Sequence, residues 1–230
     1  MNLTRIMARA ASGIAVLFLA TAVSAVAFAQ DSRGDENYAV FVSQRNGAAE
    51  LYLIDLNTRQ VSQLTNTGRG HLTPAISSNR SIVFASREGS NYEIFSGTLG
   101  PALRTRRPTL VGINRLTVNT EDETAVSTTR DGVWVSFMSS SGIELMTAGG
   151  LERKVIVPKA ELATDFGPSI SPDGSRVAFV SNRSGDYEIW MYASQTGEIR
   201  QVTRGGKVTG GVSWAADSKQ IVFNTTATAT

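Results

Sequence analysis

The stretch from Pro168 to Thr203, PSISPDGSRVAFVSNRSGDYEIWMYASQTGEIRQVT, has degenerate copies along most of the chain. A fixed period of forty-odd residues, each holding four short strands, is how a β-propeller reads in sequence. Four columns keep the same order in each copy. The first is an aromatic-centred strand around Phe41, Phe84, Phe137, Phe179 and Phe223, which step by 43, 53, 42 and 44 residues. The second is a glutamate before an apolar strand, at Glu50, Glu93, Glu144 and Glu188. The third is Gln63-Leu64-Thr65, Arg115-Leu116-Thr117 and Gln201-Val202-Thr203, with Lys154-Val155-Ile156-Val157 standing in for it in the middle copy. The fourth is Pro74-Ala75-Ile76-Ser77, Ala125-Val126-Ser127, Pro168-Ser169-Ile170-Ser171 and Val212-Ser213-Trp214.

The residue types agree with that reading. Val177-Ala178-Phe179-Val180 is apolar on both alternating faces, as expected of a strand sandwiched between neighbouring sheets. Turn residues fall between the strands, as in Pro172-Asp173-Gly174 and Arg130-Asp131-Gly132. Past residue 31 no stretch carries helical periodicity with caps. The fold class is therefore all-β, a propeller of four-stranded blades: four complete or nearly complete blades and a partial one, in a ring that is closed, open or truncated. The long step of 53 falls where Gly97 to Gly112 carries two prolines and three arginines, and is read as an enlarged loop.

The first residues read differently. Arg5 and Arg9 precede an apolar run from Gly13 to Ala29, and Ala27-Phe28-Ala29 puts small residues at the cut before Gln30. Residues 1–29 are thus expected to be a secretory signal peptide and 30–230 one propeller domain; an uncleaved anchor helix is the alternative. No cysteine is present, which excludes a disulfide framework and lipid attachment at a cleavage-site cysteine. Of the 22 basic residues two lie in the leader and none of the 20 acidic ones does, so residues 30–230 are neutral overall. Nucleic acid, which needs a basic face, is not an expected partner. No membrane span is expected after cleavage. The first copy begins at its second strand, so the first strand of the last copy is expected to complete it, leaving the strand around Phe223 over.

Ser171-Pro172-Asp173-Gly174, then Val177 to Arg183, then Glu188-Ile189-Trp190 and Val202-Thr203 together resemble the repeat of the TolB-like propellers. The likeness covers nearly everything after residue 37. It implies a non-enzymatic periplasmic propeller that binds partner proteins of the Tol–Pal envelope system. The same repeat also occurs in prolyl-oligopeptidase-type peptidases and other secreted bacterial proteins. The α/β domain that precedes the TolB propeller and the hydrolase domain of the peptidases have no counterpart in this sequence.

Candidate sites follow from the columns. Arg45 with Glu50, Arg87 with Glu93 and Arg183 with Glu188 flank matched hairpins, and are expected to pair or to hold the loop backbone; Glu144 has Ser140 and Ser141 where the others have arginine. Asp173 and Gly174 read as turn chemistry. Three residues before the fourth column stand His71, Glu121, Asp165 and Lys207, polar and different in each copy, where loops are expected to ring one mouth of the channel. With Asp122 and Glu123 they are the candidate binding site for a peptide or, if their carboxylates converge, a calcium ion; otherwise no cofactor or metal is expected. Arg104, Arg106 and Arg107 form a basic loop, read as a partner-docking loop or as a solvated excursion. With one histidine, no GxSxG and no cysteine, an elbow hydrolase and a thiol protease are unsupported. The resulting reading is an exported propeller that binds an envelope protein or peptide at its channel mouth. A carbohydrate-active or lectin-like propeller and a fragment of a longer protein remain the alternatives.

Overall fold

The computed structural model describes residues 23–30, 37–100 and 108–226. Those residues form strands and turns with no helix. Blade 1 comprises β1 (Val23–Gln30), β2 (Asn37–Ser43), β3 (Glu50–Asp55) and β4 (Val61–Gln63). Blade 2 comprises β5 (His71–Ile76), β6 (Ser81–Glu88), β7 (Asn91–Gly100) and β8 (Thr109–Arg115). Blade 3 is β9 (Thr124–Thr128), β10 (Trp134–Ser139), β11 (Gly142–Thr147) and β12 (Lys154–Pro158). Blade 4 is β13 (Asp165–Ile170), β14 (Arg176–Ser184), β15 (Asp186–Ala193) and β16 (Ile199–Gln201). A two-stranded unit, β17 (Val208–Trp214) and β18 (Ile221–Thr225), follows. Each four-stranded sheet is an antiparallel meander in chain order. The architecture is a four-bladed β-propeller.

Period-two alternation is what stacks the blades, because successive side chains of one strand face opposite neighbours. Ile82 and Phe84 on β6 pack against Val40, Val42 and Leu53 of blade 1. The intervening Val83 and Ala85 pack against Val135, Phe137 and Met146 of blade 3. On β14, Val177 and Phe179 turn to Ile143 and Leu145 of blade 3. Ala178 and Val180 turn instead to Val208 and Val212 of the two-stranded unit. Phe84, Phe137 and Phe179 thus each face the preceding blade, and each fully buried ring contributes about 1.5–3 kcal/mol.

Two expectations need correction. β17 pairs with its own β18, and the inner position of blade 1 is filled by β1, antiparallel to β2 from Val26 to Gln30. That strand draws on the last residues of the expected leader and Gln30. The innermost strands neighbour one another in series, β1 by β5, β5 by β9, β9 by β13 and β13 by β17, whereas β17 and β1 do not pack in this way. Second, the described part of the enlarged loop of blade 2 is largely strand: β7 runs on to Gly100 and β8 starts at Thr109, with Leu99 paired to Leu110. Backbone pairing continues because Leu99 and Leu110 give this arm its own apolar contact with the blade 1–2 core. Arg104, Arg106 and Arg107 lie outside the described residues.

At the end of the blades where β6, β10 and β14 begin, the turns link one blade to the next. Ser78 N–H donates to Arg130 O (2.8 Å), Arg130 N–H to Pro172 O (2.9 Å) and Asp173 N–H to Ser218 Oγ (3.1 Å). Gly132 is required there: its φ is 73°, and a Cβ would lie 2.8 Å from Ser77 Oγ and 2.9 Å from Asn79.

Candidate binding face at the blade junctions

Because strands alternate direction, the connections into β5, β9, β13 and β17 share one end with the hairpins β2–β3, β6–β7, β10–β11 and β14–β15. The four column glutamates lie at this end, all buried. They do not pair with the arginines of their own hairpins. Arg45 lies over the Tyr52 ring at 4.6 Å, and its Nε donates to Ser43 Oγ. Arg87 Nε donates to Gly89 O, and Arg183 binds Asp165 through Nη2 (2.6 Å) and Nε (3.1 Å).

The glutamates are held by the third column instead. In blade 1, Glu50 accepts from Thr65 Oγ1 (2.6 Å) and from the Thr67 and Gly68 amides (2.8 and 2.6 Å). Thr65 Oγ1 in turn accepts from Leu51 N–H (2.9 Å), closing the strand pair. In blade 4, Thr203 and the Gly206 amide do the same for Glu188, and Ile189 N–H donates to Thr203 Oγ1. In blade 2, Glu93 accepts from Asn91, the Asn119 amide and Arg115, each at 2.8–2.9 Å. Burial by itself would raise the pKa values of Glu50 and Glu93. Their hydrogen bonds, led by Thr65 and by the Asn119 amide respectively, hold both below the ordinary carboxylate value.

Blade 3 lacks the hydroxyl. The cross-strand pair of Leu145 with Lys154 corresponds to that of Leu51 with Leu64, which puts Val155 where Thr65 and Thr203 stand. Arg153 substitutes. Its Nε and Nη2 donate to Glu144 Oε2 and Oε1 (2.6 and 2.8 Å), and Nη2 also reaches Glu123 Oε1 at 2.6 Å. The guanidinium lies 5.2 Å from the Phe137 ring centroid. Glu144, which burial would raise, is held low by hydrogen bonds from Arg153 and Ser139.

The candidate mouth residues divide. His71 is buried, with Nε2 3.2 Å from Glu50 Oε2 and 3.0 Å from Thr67 Oγ1. Asp165 is tied to Arg183. Each stands two residues before a positive-φ residue of its innermost strand, Thr73 and Gly167, and the residue so placed in blade 3, before Ala125, is Glu123 rather than Glu121. In the last unit the residue paired like His71 and Asp165 is Val208, and Lys207 is the exposed residue before it. The expected register was therefore displaced in two copies, because β9 and β17 are entered by loops of different length. Burial at these positions follows from each facing the preceding blade. Glu121 is exposed, and Asp122 accepts from Tyr92 N–H (2.8 Å), pinning the loop to β7. Among the described residues no three His, Asp or Glu side chains are grouped to hold a metal, so the carboxylates do not converge as a calcium site would need.

Between blades 2 and 3 this end opens into a cavity of about 200 Å³, walled by Asn119, Thr120, Glu121, Glu123, Ser139, Ser140 and Arg153. Glu123 is fully buried; its Oε1 accepts from Asn119 Nδ2 (2.7 Å) and Arg153, and its Oε2 has no partner. Gly142 allows the hairpin beside the cavity, since φ is 123° and a Cβ would meet Val157 O at 2.2 Å.

No family model matches the chain. A TolB homologue of Chlorobium luteolum is 31% identical over 170 residues, 70% of this chain and 35% of that protein. One from Chlorobium chlorochromatii is 28% identical over 145 residues, 63% of this chain and 31% of its own length. Among solved structures, TolB from Acinetobacter baumannii superposes with a TM-score of 0.61 at 20% identity, over 81% of this chain and 46% of that one. The fold is a TolB-like β-propeller. The chain spans about a third of the length of the curated relatives it matches.

Within this TolB-like propeller, Arg153, Asn119 and the column threonines were missed as site residues by the sequence reading. The threonines were visible in the Leu-Thr and Val-Thr column. The signal for Arg153 was the failure of that column in blade 3, beside a glutamate that persists.

Proposed function

We propose that this chain is an exported, non-enzymatic propeller that binds an envelope protein or peptide at the end of the blades where the innermost strands begin. The observation that carries the reading is the cavity between blades 2 and 3. It is the place where this end departs from the repeat, with Val155 for a threonine and serines for the hairpin arginine. On a pseudo-repeating ring, a specific site is built from what differs between blades. The likeness to TolB homologues supports a periplasmic location and a protein partner. Among the described residues no helix is long and apolar enough to cross a membrane.

A photo-crosslinking residue placed at Ser140 tests this, with one at Ser175 on the opposite end as control. A discrete adduct with one envelope protein from Ser140 and none from Ser175 is the expected result. Equal labelling from both ends would refute it. N-terminal sequencing of the exported chain checks removal of the leader: a start at Gln30 would take Val23 to Ala29 of β1 away and leave the inner place of blade 1 to another strand, whereas a start before Val23 would keep β1 in place.

A further inference from the structure

We infer that the cavity between blades 2 and 3 is a receptor for a primary ammonium group presented by a peptide, its acceptor being Glu123 Oε2. This rests on the reading of that end as the binding face, and adds the chemistry of what binds. The first argument is charge. Glu93, Glu123 and Glu144 are all buried and are joined through Asn119 and Arg153. Arg115 and Arg153 are the guanidiniums bound to them. Three carboxylates and two guanidiniums leave one negative charge, and a buried charge without a counterion is costly.

The second argument is the open acceptor. Glu123 is fully buried and lines the cavity, yet Oε2 has no partner while Oε1 takes two donors. A buried carboxylate oxygen seeks a donor, and a charged one binds most tightly. Around the same space stand the exposed Glu121 and Ser140 and the hydroxyl of Thr120. These residues come from two separate segments, the loop before β9 and the β10–β11 hairpin. An ammonium, with three rotatable donors on a compact charge, suits them better than a planar guanidinium. A metal ion would want three carboxylates or histidines converging on one point, and among the described residues none are so grouped.

The ammonium can come from a lysine side chain or from a peptide's own N-terminus, and the test separates them. Amide chemical shifts of the full chain are followed during titration with N-acetyl-lysine methylamide, with alaninamide, and with uncharged N-acetyl-norleucine methylamide. Lysine- or alaninamide-dependent shifts at Thr120, Glu121 and Ser140, absent with norleucine, are expected. Whichever amine binds identifies the source. Glu123→Gln should weaken binding about tenfold or more, the loss expected for one charge-assisted hydrogen bond. Ser140→Trp, which fills the cavity from an exposed hairpin, should abolish it with Glu123 intact, and decides the matter if the Glu123 variant fails to fold. Absence of amine-specific shifts, or undiminished binding in the folded variants, overturns the inference. Persistence of the Ser140 crosslink in Glu123→Gln would then show that the face binds its partner by other means.

Discussion

Blades 3 and 4 bury the same glutamate at the same place and satisfy it with different chemistry. Glu188 is held by a threonine hydroxyl and a backbone amide, so its donors are neutral. Glu144 is held by Arg153, whose guanidinium also serves Glu123, so one side chain ties together the hairpin, the outer strand and the start of the innermost strand. The neutral arrangement is repeated in blade 1 and belongs to the architecture. The charged one concentrates an unbalanced cluster at one junction and opens a cavity beside it. A repeat frame thus acquires a distinct site when one column loses its hydroxyl.

The heaviest blow to this contrast is Arg153→Met. Removing the guanidinium leaves two buried carboxylates without their shared partner, for which about 3–5 kcal/mol of stability is expected to be lost. Urea denaturation measures it. A loss under about 1 kcal/mol would mean that solvent replaces the guanidinium freely, and the junction would not differ in kind from its neighbours. Thr203→Val should cost less, about 1–3 kcal/mol, because the Gly206 amide still binds Glu188 when the hydroxyl is gone. Thr65→Val should match it within the same range, since Thr67 and Gly68 remain. If the threonine variants equalled Arg153→Met, the two locks would be energetically the same device.

The repeat was legible because its columns coincide with packing. Phe84, Phe137 and Phe179 fall at equivalent buried places, and the Asp-Gly turns sit where strands reverse. The lock was half legible: the glutamate and threonine columns both stood out, but their pairing spans about 15 residues and needs the cross-strand register to be seen. The mouth residues were harder still. Glu121 and Glu123 stand two residues apart in an entry loop of variable length, so spacing alone chose the exposed acid over the buried one. Arg153 precedes Lys154, which puts it where Arg115 stands in blade 2, but reading the column one residue late, from Lys154, hid the match. β1 was hidden because its residues also satisfy the pattern of a leader, and both readings need the same small and apolar side chains.

A smaller effect distinguishes blade 1 from the rest, since only there does the matched position carry an imidazole. Burial lowers the pKa of His71 from 6.5, against the pull of Glu50. Below about pH 6.5 the unfolded chain therefore binds a proton that the folded chain refuses, and stability falls with pH. The melting temperature should decline between about pH 7 and 5, and His71→Asn should flatten that decline. The low glutamates act in a separate window: their contribution is complete above about 4.5 and disappears on further acidification. A His71→Asn variant with an unchanged slope would place the sensitive group elsewhere.

The smallest effect belongs to the opposite end, where no blade is singled out. Asp173 accepts from Ser171 Oγ (2.6 Å), Ser175 N–H (3.0 Å) and Ser175 Oγ (2.8 Å), and the hydrogen bonds, Ser171 first, bring its pKa to about 2. Its depressed value means that the turn is supported above the unfolded carboxylate pKa and loses that support as pH falls toward 2. Because the carboxylate is exposed, the stability at stake is small. A carboxyl-carbon NMR titration reads it directly, and Ser171→Ala should move the midpoint upward toward the model-peptide value of about 3.9. That shift should occur without any change at Ser140 or Glu121, since the turn network and the cavity lie at opposite ends of the strands. Coupling between them would show that the sandwiched strands transmit strain along their length, and the division into a generic end and a specific one would have to be given up.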